Sequence, residues 1–231
     1  MHRLSHCLSV LLVAIFAAAP ASAGGTISTL GVQNKGKSIA IVSISANNYN
    51  NSLQGWSSAN SSELMGTQLN KMEGMIETLL AKDWTVIPAQ SFASKDEFQA
   101  LAGERREVGL PSFDGKSMPL FSKDRKQLIK AEVDKDVAVK LARIAGADYI
   151  LIAYSEWAVA TGRFVPTSKA LAKNVVSIYD AAGKKVFEDR SDAAGDRTLG
   201  ALGSVVVDQN SITEWVSAYD KGIHALYGAP R

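Results

Sequence analysis

The chain has 231 residues, with 25 basic and 23 acidic side chains and a formal net charge of +2. This balanced charge excludes the concentrated basic surface that nucleic-acid binding requires, and the length suits one domain. The only cysteine, Cys7, and two of the three histidines lie in the first seven residues, so His224 is the one histidine after them. The chain after these first residues therefore has no cysteine and one histidine. This excludes a thiol nucleophile, a thiolate metal site and a zinc site of several imidazoles there, and no cofactor or metal is expected.

Residues 1–23 predict a cleavable signal peptide. A basic start with Arg3 is followed by the apolar run Leu8–Ala19, which is too short to span a bilayer, and then by the small residues of Ala21–Ala23. Cleavage is expected after Ala23. We therefore expect a periplasmic or secreted protein with no integral membrane segment, in which residues 24–231 form a single globular α/β domain.

The first predicted elements form a βαβ unit. The β-branched run Ser38–Ser45 is typical of a buried strand. Apolar residues at three- and four-residue intervals then predict a helix from about Asn60 to Lys82, and Trp84–Ile87 predicts a second strand. A strand, a helix and a strand in this order predict a right-handed crossover between parallel strands.

The middle of the chain is less regular. Residues 89–133 indicate an insertion, in which Ser94 and Glu97 have the spacing of a capping box for a short helix. Asp134 is then expected to cap a helix that ends at Gly146 in the left-handed conformation. After that helix, the pattern predicts three strands, at 148–154, 173–180 and 184–188, of which the last two form a hairpin.

The last predicted element is an amphipathic helix. Ser211 and Glu214 have capping-box spacing, an apolar stripe runs through Trp215 and Tyr219, and Gly228 ends the helix. The predicted fold is therefore an α/β fold of α+β character: one mixed sheet of about five strands. A βαβ unit is followed by an antiparallel meander, and helices that include this C-terminal one pack against the sheet.

The loop between the first strand and the first long helix is the predicted partner-binding surface. It covers Asn47–Ser62 and leaves the carboxyl end of a strand, where open α/β sheets place ligands. Tyr49 and Trp56 stand among Asn, Ser and Gly residues, a mixture suited to recognition of a peptide or a sugar. The alternative is that both aromatic side chains fold back onto the core.

One string matches the phosphate-loop pattern GxxxxGKS, from Gly31 to Ser38. In a phosphate loop, a strand precedes the glycines and a helix starts at the Lys-Ser pair, so that backbone amides point at the phosphate. Here a strand is predicted after Lys37 and none before Gly31. The match is therefore interpreted as accidental, and nucleotide binding is not expected.

Other catalytic arrangements have little support in the sequence. Glu156 and Asp180 lie at predicted strand ends and are candidate carboxylates for hydrolysis, but nothing in their spacing distinguishes them, and solvated charges at the sheet margin are the simpler interpretation. His224 follows Asp220 by four residues and lies within helical reach of it. A surface pair is the simpler interpretation of these two residues.

Three segments resemble the CsgG-type envelope module. Lys37–Ile44 is similar to its opening strand, Lys82–Pro88 to its second strand, and Ala142–Ala153, with Gly-Ala-Asp leading into a buried strand, to its helix-end signature. The hairpin Val175–Phe187 also fits. The module occurs in the curli-secretion channel subunit, and related folds occur in the amino-terminal domain of the Tol-system translocation protein and in lipoprotein activators of penicillin-binding proteins.

The resemblance implies a non-catalytic role in the bacterial envelope. We therefore predict a periplasmic accessory or binding protein that acts by protein–protein contacts. Its expected partner is an envelope protein or a peptidoglycan-associated protein, and a homo-oligomer remains open. The alternative function is a secreted carboxylate-dependent hydrolase.

Overall fold

The computed structural model describes residues 25–48, 53, 61–103, 108–162, 167–201 and 205–228, with backbone only for residues 61–64. The predicted signal peptide and its cleavage site after Ala23 lie outside these ranges and stay a prediction. In chain order the elements are α1 (Ile27–Gln33), β1 (Ser38–Asn48), α2 (Ser61–Leu80), β2 (Thr85–Ile87), α3 (Asp96–Gln99), β3 (Ser112–Phe113), β4 (Lys116–Ser117), α4 (Arg125–Leu128), α5 (Lys135–Ala145), β5 (Tyr149–Thr161), β6 (Thr167–Asp180), β7 (Lys185–Ala194), β8 (Gly200–Ala201) and α6 (Ile212–Tyr227).

The main sheet is mixed and has the strand order β2-β1-β5-β6-β7, with the short β8 also paired to β6. β1 is parallel to both β2 and β5, whereas β5, β6 and β7 form an antiparallel meander. The predicted mixed sheet, with its βαβ unit, meander and C-terminal helix, is confirmed. β6 and β7 are longer than predicted, because the β5–β6 pairing continues as far as Thr161 opposite Ser168.

β1 distributes its side chains to two cores. Ile39 and Ile41 face one apolar cluster and Ala40 faces the other, as expected for a period of two. The pairing with β5 shifts register between Ile41 and Ser43, so the next residue that faces the first cluster is Ile44. Beyond this irregularity Ile44 and Ala46 continue the first cluster, while the buried Ser43 and Ser45 alternate with them.

The two sheet faces are covered by different parts of the chain. The first cluster lies under α1, α2 and α6 and contains Trp157 and Trp215, which stack with ring centroids 6.2 Å apart. The second cluster lies under α5 and residues 89–133, where Phe92, Phe98 and Phe121 make edge-to-face contacts at 5.0–5.1 Å. The predicted insertion therefore supplies half of the buried residues in the second cluster.

Helix ends agree only in part with the predicted caps. Gly146 has φ of 69° and ends α5 in the left-handed conformation, as predicted. Asp134 stands before α5, but its carboxylate accepts hydrogen bonds from the Lys123 and Gln127 side chains and does not cap the helix. The predicted capping box that begins at Ser94 is wrong, because α3 starts at Asp96 with no side-chain cap.

The predicted capping box of α6 is also wrong. Ser211 has helical dihedral angles and makes no side-chain cap. The Asp208 carboxylate accepts hydrogen bonds from the Asn210 and Ser211 amides at 2.9 and 2.8 Å, and this turn leads into the helix. Glu214 is buried, and its carboxylate accepts the Arg197 amide at 3.0 Å. None of the helices in the described ranges has the length and apolar character needed to cross a bilayer.

Candidate functional site

An open groove of about 500 Å³ runs between α2 and α6 on the outer surface of the helix layer. α6 contributes Asp220 and His224 to its lining. α2 and the turn after it contribute Lys71, Gly74, Met75, Thr78, Leu79 and Lys82. The groove therefore combines an apolar floor with charged groups on both rims.

The groove forms because α2 uses only part of its circumference for the core. Met72, Ile76 and Leu80 face the sheet and are buried, while Met75 is only partly buried and faces the groove. A helix turns through 100° per residue, so Met75 lies well to one side of the stripe that the buried residues form. The apolar surface of α2 consequently extends beyond the core into the groove.

The C-terminal ends of α2 and α6 meet at one end of the groove. The Tyr227 hydroxyl donates a hydrogen bond to the Asp83 carboxylate, which also accepts one from Ser28 at 2.8 Å. The hydrogen bond from Tyr227 is the main cause that lowers the pKa of Asp83, and the bond from Ser28 adds to it. Burial raises the pKa of Tyr227. Lys82 lies 5.8 Å above the Tyr227 ring, a cation–π contact that fixes this corner.

The other rim holds the Asp220–His224 pair. The His224 Nδ1 lies 3.0 Å from the Asp220 carboxylate and 3.0 Å from the Asp220 carbonyl oxygen. The predicted helical contact between these side chains is therefore formed. Both residues line the groove, so the pair belongs to this candidate site.

The predicted partner-binding residues Tyr49 and Trp56 lie outside the described residues. Two described residues of the predicted loop, Asn48 and Leu53, lie on either side of Tyr49 in the chain. Asn48 at the end of β1 and Leu53 exchange two hydrogen bonds, from Asn48 Nδ2 to the Leu53 carbonyl at 3.2 Å and from the Leu53 amide to Asn48 Oδ1 at 3.0 Å. Leu53 is buried, so the loop returns to the core at this position.

The phosphate-loop string has the opposite structural order from a phosphate site. Its first glycine, Gly31, lies in α1, and its Lys-Ser pair leads into β1. Lys37 Nζ lies 3.1 Å from Asp148, and Asp148 also accepts the Ser38 amide at 2.9 Å. A Cβ at Gly31 would lie 2.5 Å from Trp84 Nε1, so this glycine serves close packing.

The structure does not bring the two candidate hydrolytic carboxylates together. Glu156 pairs with Lys173 across the β5–β6 hairpin, and Asp180 pairs with Tyr149 at its other end. Glu156 and Tyr149, which lies opposite Asp180, are seven residues apart on β5, and this separates the two acids along the strands by about 23 Å. Asp180 accepts backbone amides of the β6–β7 turn at 3.0 and 2.9 Å, which is a structural role.

A different pair of carboxyl groups does converge, on α2. Burial, followed by a hydrogen bond and repulsion from Glu77, raises the pKa of Glu73 well above its ordinary value. Glu77 accepts the Ala89 amide at 3.1 Å. Glu73 is only 6% exposed, and neither acid lines the α2–α6 groove. Glu73 is therefore packed inside the protein, and the partly buried Glu77 holds the backbone at Ala89, so the two acids have structural surroundings rather than a place in this groove.

The groove could not be identified from the sequence. Its lining comes from two helices far apart in the chain, whose contact no local pattern predicts. Two local signals were present: Met75 lies beside the apolar stripe of α2, and Gly74 interrupts an otherwise good helix sequence. Both signals are common in helices and become informative only once the position of α6 is known.

The fold is that of an α/β protein with a two-layered core and an open groove between two helices. No protein-family model and no curated protein matches the chain. In structure it is similar to the lipoprotein GNA1162 of Neisseria meningitidis, at 12% identity over 68% of this chain and 82% of that one, with a TM-score of 0.37.

Two further solved structures show a comparable similarity. LpoB of E. coli is 13% identical over 83% of this chain and 81% of that one, with a TM-score of 0.35. The C-terminal domain of LpoB from Salmonella enterica is 15% identical over 73% and 95%, with a TM-score of 0.32. All three TM-scores are below 0.5, so the similarity assigns no function to this chain.

Proposed function

We propose that the protein is a non-catalytic accessory or binding protein of the bacterial envelope, which acts in the periplasm through protein–protein contacts. The observation that carries this proposal is the α2–α6 groove, where Met75 and Leu79 form an apolar floor between charged rims. A hydrophobic centre with a polar margin is the usual composition of a protein-binding surface. The predicted export signal and the resemblance to the CsgG-type module support the same cellular setting.

A site-specific photocrosslinker tests this proposal. The test position is Thr78, which is exposed in the groove. The control position is Lys140, which is exposed on α5 on the opposite face of the sheet. We expect Thr78 to form a discrete adduct with one envelope protein in living cells and Lys140 to form none. If both positions give the same adducts, or if neither gives one, the groove is not the contact surface.

The loop that carries Tyr49 and Trp56 remains a second proposed contact. α2 begins at Ser61, directly after this loop, whereas the groove lies along the second half of α2. The two surfaces can therefore be separated experimentally. If the loop contributes, a Tyr49→Ala/Trp56→Ala double variant weakens the adduct formed at Thr78, and an unchanged adduct restricts the contact to the groove.

A further inference from the structure

We infer that the α2–α6 groove receives an acidic amphipathic helix of the partner protein, and that Gly74 is the point where the backbone of that helix approaches. This inference rests on the proposed function and adds the chemistry of the partner.

Gly74 has no packing role within the described part of the protein. It lies in the interior of the 20-residue helix α2, where glycine is about 1 kcal/mol less favourable than alanine. A Cβ at this position would meet no atom within 4 Å. By contrast, a Cβ at Gly109 would lie 2.9 Å from the Leu69 side chain, so that glycine is required internally. The space above Gly74 is open to the groove that the residue lines.

The charges around the groove are asymmetric. Lys71 and Lys82 lie on the α2 side, three helical turns or about 16 Å apart. Among the described residues, no carboxylate lies within ion-pair distance of either lysine, although Lys82 also contacts the Tyr227 ring and lies near the Asp83 carboxylate. On the α6 side, Asp220 is already in contact with His224. A ligand that complements this arrangement carries acidic groups toward α2 and apolar groups in the middle.

The shape of the groove favours a helix as the occupant. α2 and α6 lie side by side, and their C-terminal ends meet where Tyr227 contacts Asp83. An elongated apolar trough between two helices accepts the apolar face of a third helix, whose backbone groups are already hydrogen-bonded. Glycine at the wall allows that backbone to come closer than any other residue would.

A binding experiment with designed peptides tests the inference. One fluorescent helical peptide carries Glu at i and i+11 with Leu at i+4 and i+7, and its twin carries Lys in place of Glu. Titrated with the purified exported protein, the Glu peptide is expected to bind about 10-fold tighter than its twin. A Lys71→Glu/Lys82→Glu variant is expected to reverse this preference.

Gly74→Ala and Gly66→Ala form a matched pair of variants. A Cβ at Gly66 also meets nothing within 4 Å, but Gly66 does not line the groove. We expect both variants to raise the melting temperature, because each replaces an open helical glycine. Only Gly74→Ala is expected to weaken binding of the Glu peptide, by about 10-fold. Higher stability with lower affinity cannot result from misfolding.

The outcomes separate this inference from the proposed function. If Thr78 still forms its adduct while the two peptides bind equally, or while Gly74→Ala binds like Gly66→Ala, the partner is not an acidic helix and only this inference is overturned. If Thr78 crosslinks to a second copy of the protein, the groove is a self-association surface, which also overturns it. Loss of every adduct overturns the proposed function itself.

Discussion

Gly222→Ala places a single methyl group at the most crowded glycine of α6. A Cβ at this position would overlap the Asn174 side-chain amide and lie 3.2 Å from the Ser191 carbonyl oxygen. Asn174 cannot move aside easily, because it is fully buried on β6 and accepts a 2.7 Å hydrogen bond from Ser155, which in turn accepts the Trp157 indole N–H. The substitution therefore disturbs a buried polar chain beneath the helix.

The expected loss of stability follows from three contributions. Overpacking costs about 1–3 kcal/mol, and disruption of the buried hydrogen bond between Asn174 and Ser155 costs about 1–3 kcal/mol. Replacing a helical glycine by alanine stabilises the helix by about 1 kcal/mol, which offsets part of this loss. The net destabilisation is about 3 kcal/mol, which lowers the melting temperature of a protein of this size by about 6–12 °C.

Thermal and urea unfolding followed by circular dichroism measure this effect. Gly66→Ala in α2 serves as the control, because the same substitution there meets open space. Asn174→Ala combined with Gly222→Ala removes the clash, and a double-mutant cycle is expected to give a coupling energy above about 1 kcal/mol. A Gly222→Ala protein as stable as the wild type, or additive effects in the cycle, would show that Asn174 does not resist the added methyl group.

Three further predictions concern a buried acid, the phosphate-loop string and a turn. Because burial raises the pKa of Glu73 above the ordinary 4.5, the folded protein holds an extra proton there. The free energy of unfolding therefore falls as the pH rises beyond that value. Urea unfolding at pH 5, 7 and 9 should show a smaller fall for Glu73→Gln than for the wild type, and an equal fall in the two proteins would contradict this. Lys37→Ala should lower stability by less than about 1 kcal/mol, because it removes only the exposed ion pair with Asp148, and calorimetry should detect no ATP binding before or after the change. Gly183→Ala should cost more than about 2 kcal/mol in unfolding experiments, since φ is 74° and a Cβ would lie 2.6 Å from a backbone carbonyl of α5. Gly115→Ala, with φ of 75° and open space, should cost only about 1 kcal/mol, and equal losses at the two glycines would count against the packing argument.

The regular elements could be predicted because their patterns are local. The apolar period of α2 and the β-branched run of β1 each specify an element by their own residues. The beginning of β6 was missed because Thr167–Ala172 is rich in small and polar residues with weak strand preference. These residues become strand through pairing with the end of β5, which is a tertiary effect that overrides local preference.

The errors at the helix caps have a related cause. Ser211 and Glu214 match the capping-box spacing, yet the Glu214 carboxylate has a closer partner in the Arg197 amide, which no local pattern indicates. The turn before α6 is instead held by Asp208, whose carboxylate accepts two nearby amides. Short polar motifs predict possible hydrogen bonds, and the competition among partners decides which of them form.

Among the described strands, β7 is the long outer strand of the sheet, and an outer strand is where a strand of another molecule can pair. Its exposed residues include Glu188, Asp189 and Arg190, and an incoming strand would have to desolvate these charges. Charged outer strands of this kind resist the addition of further strands and so protect a protein from aggregation at high concentration. This edge therefore disfavours pairing with a strand of another molecule, and the open groove lies instead on the helix layer, between α2 and α6.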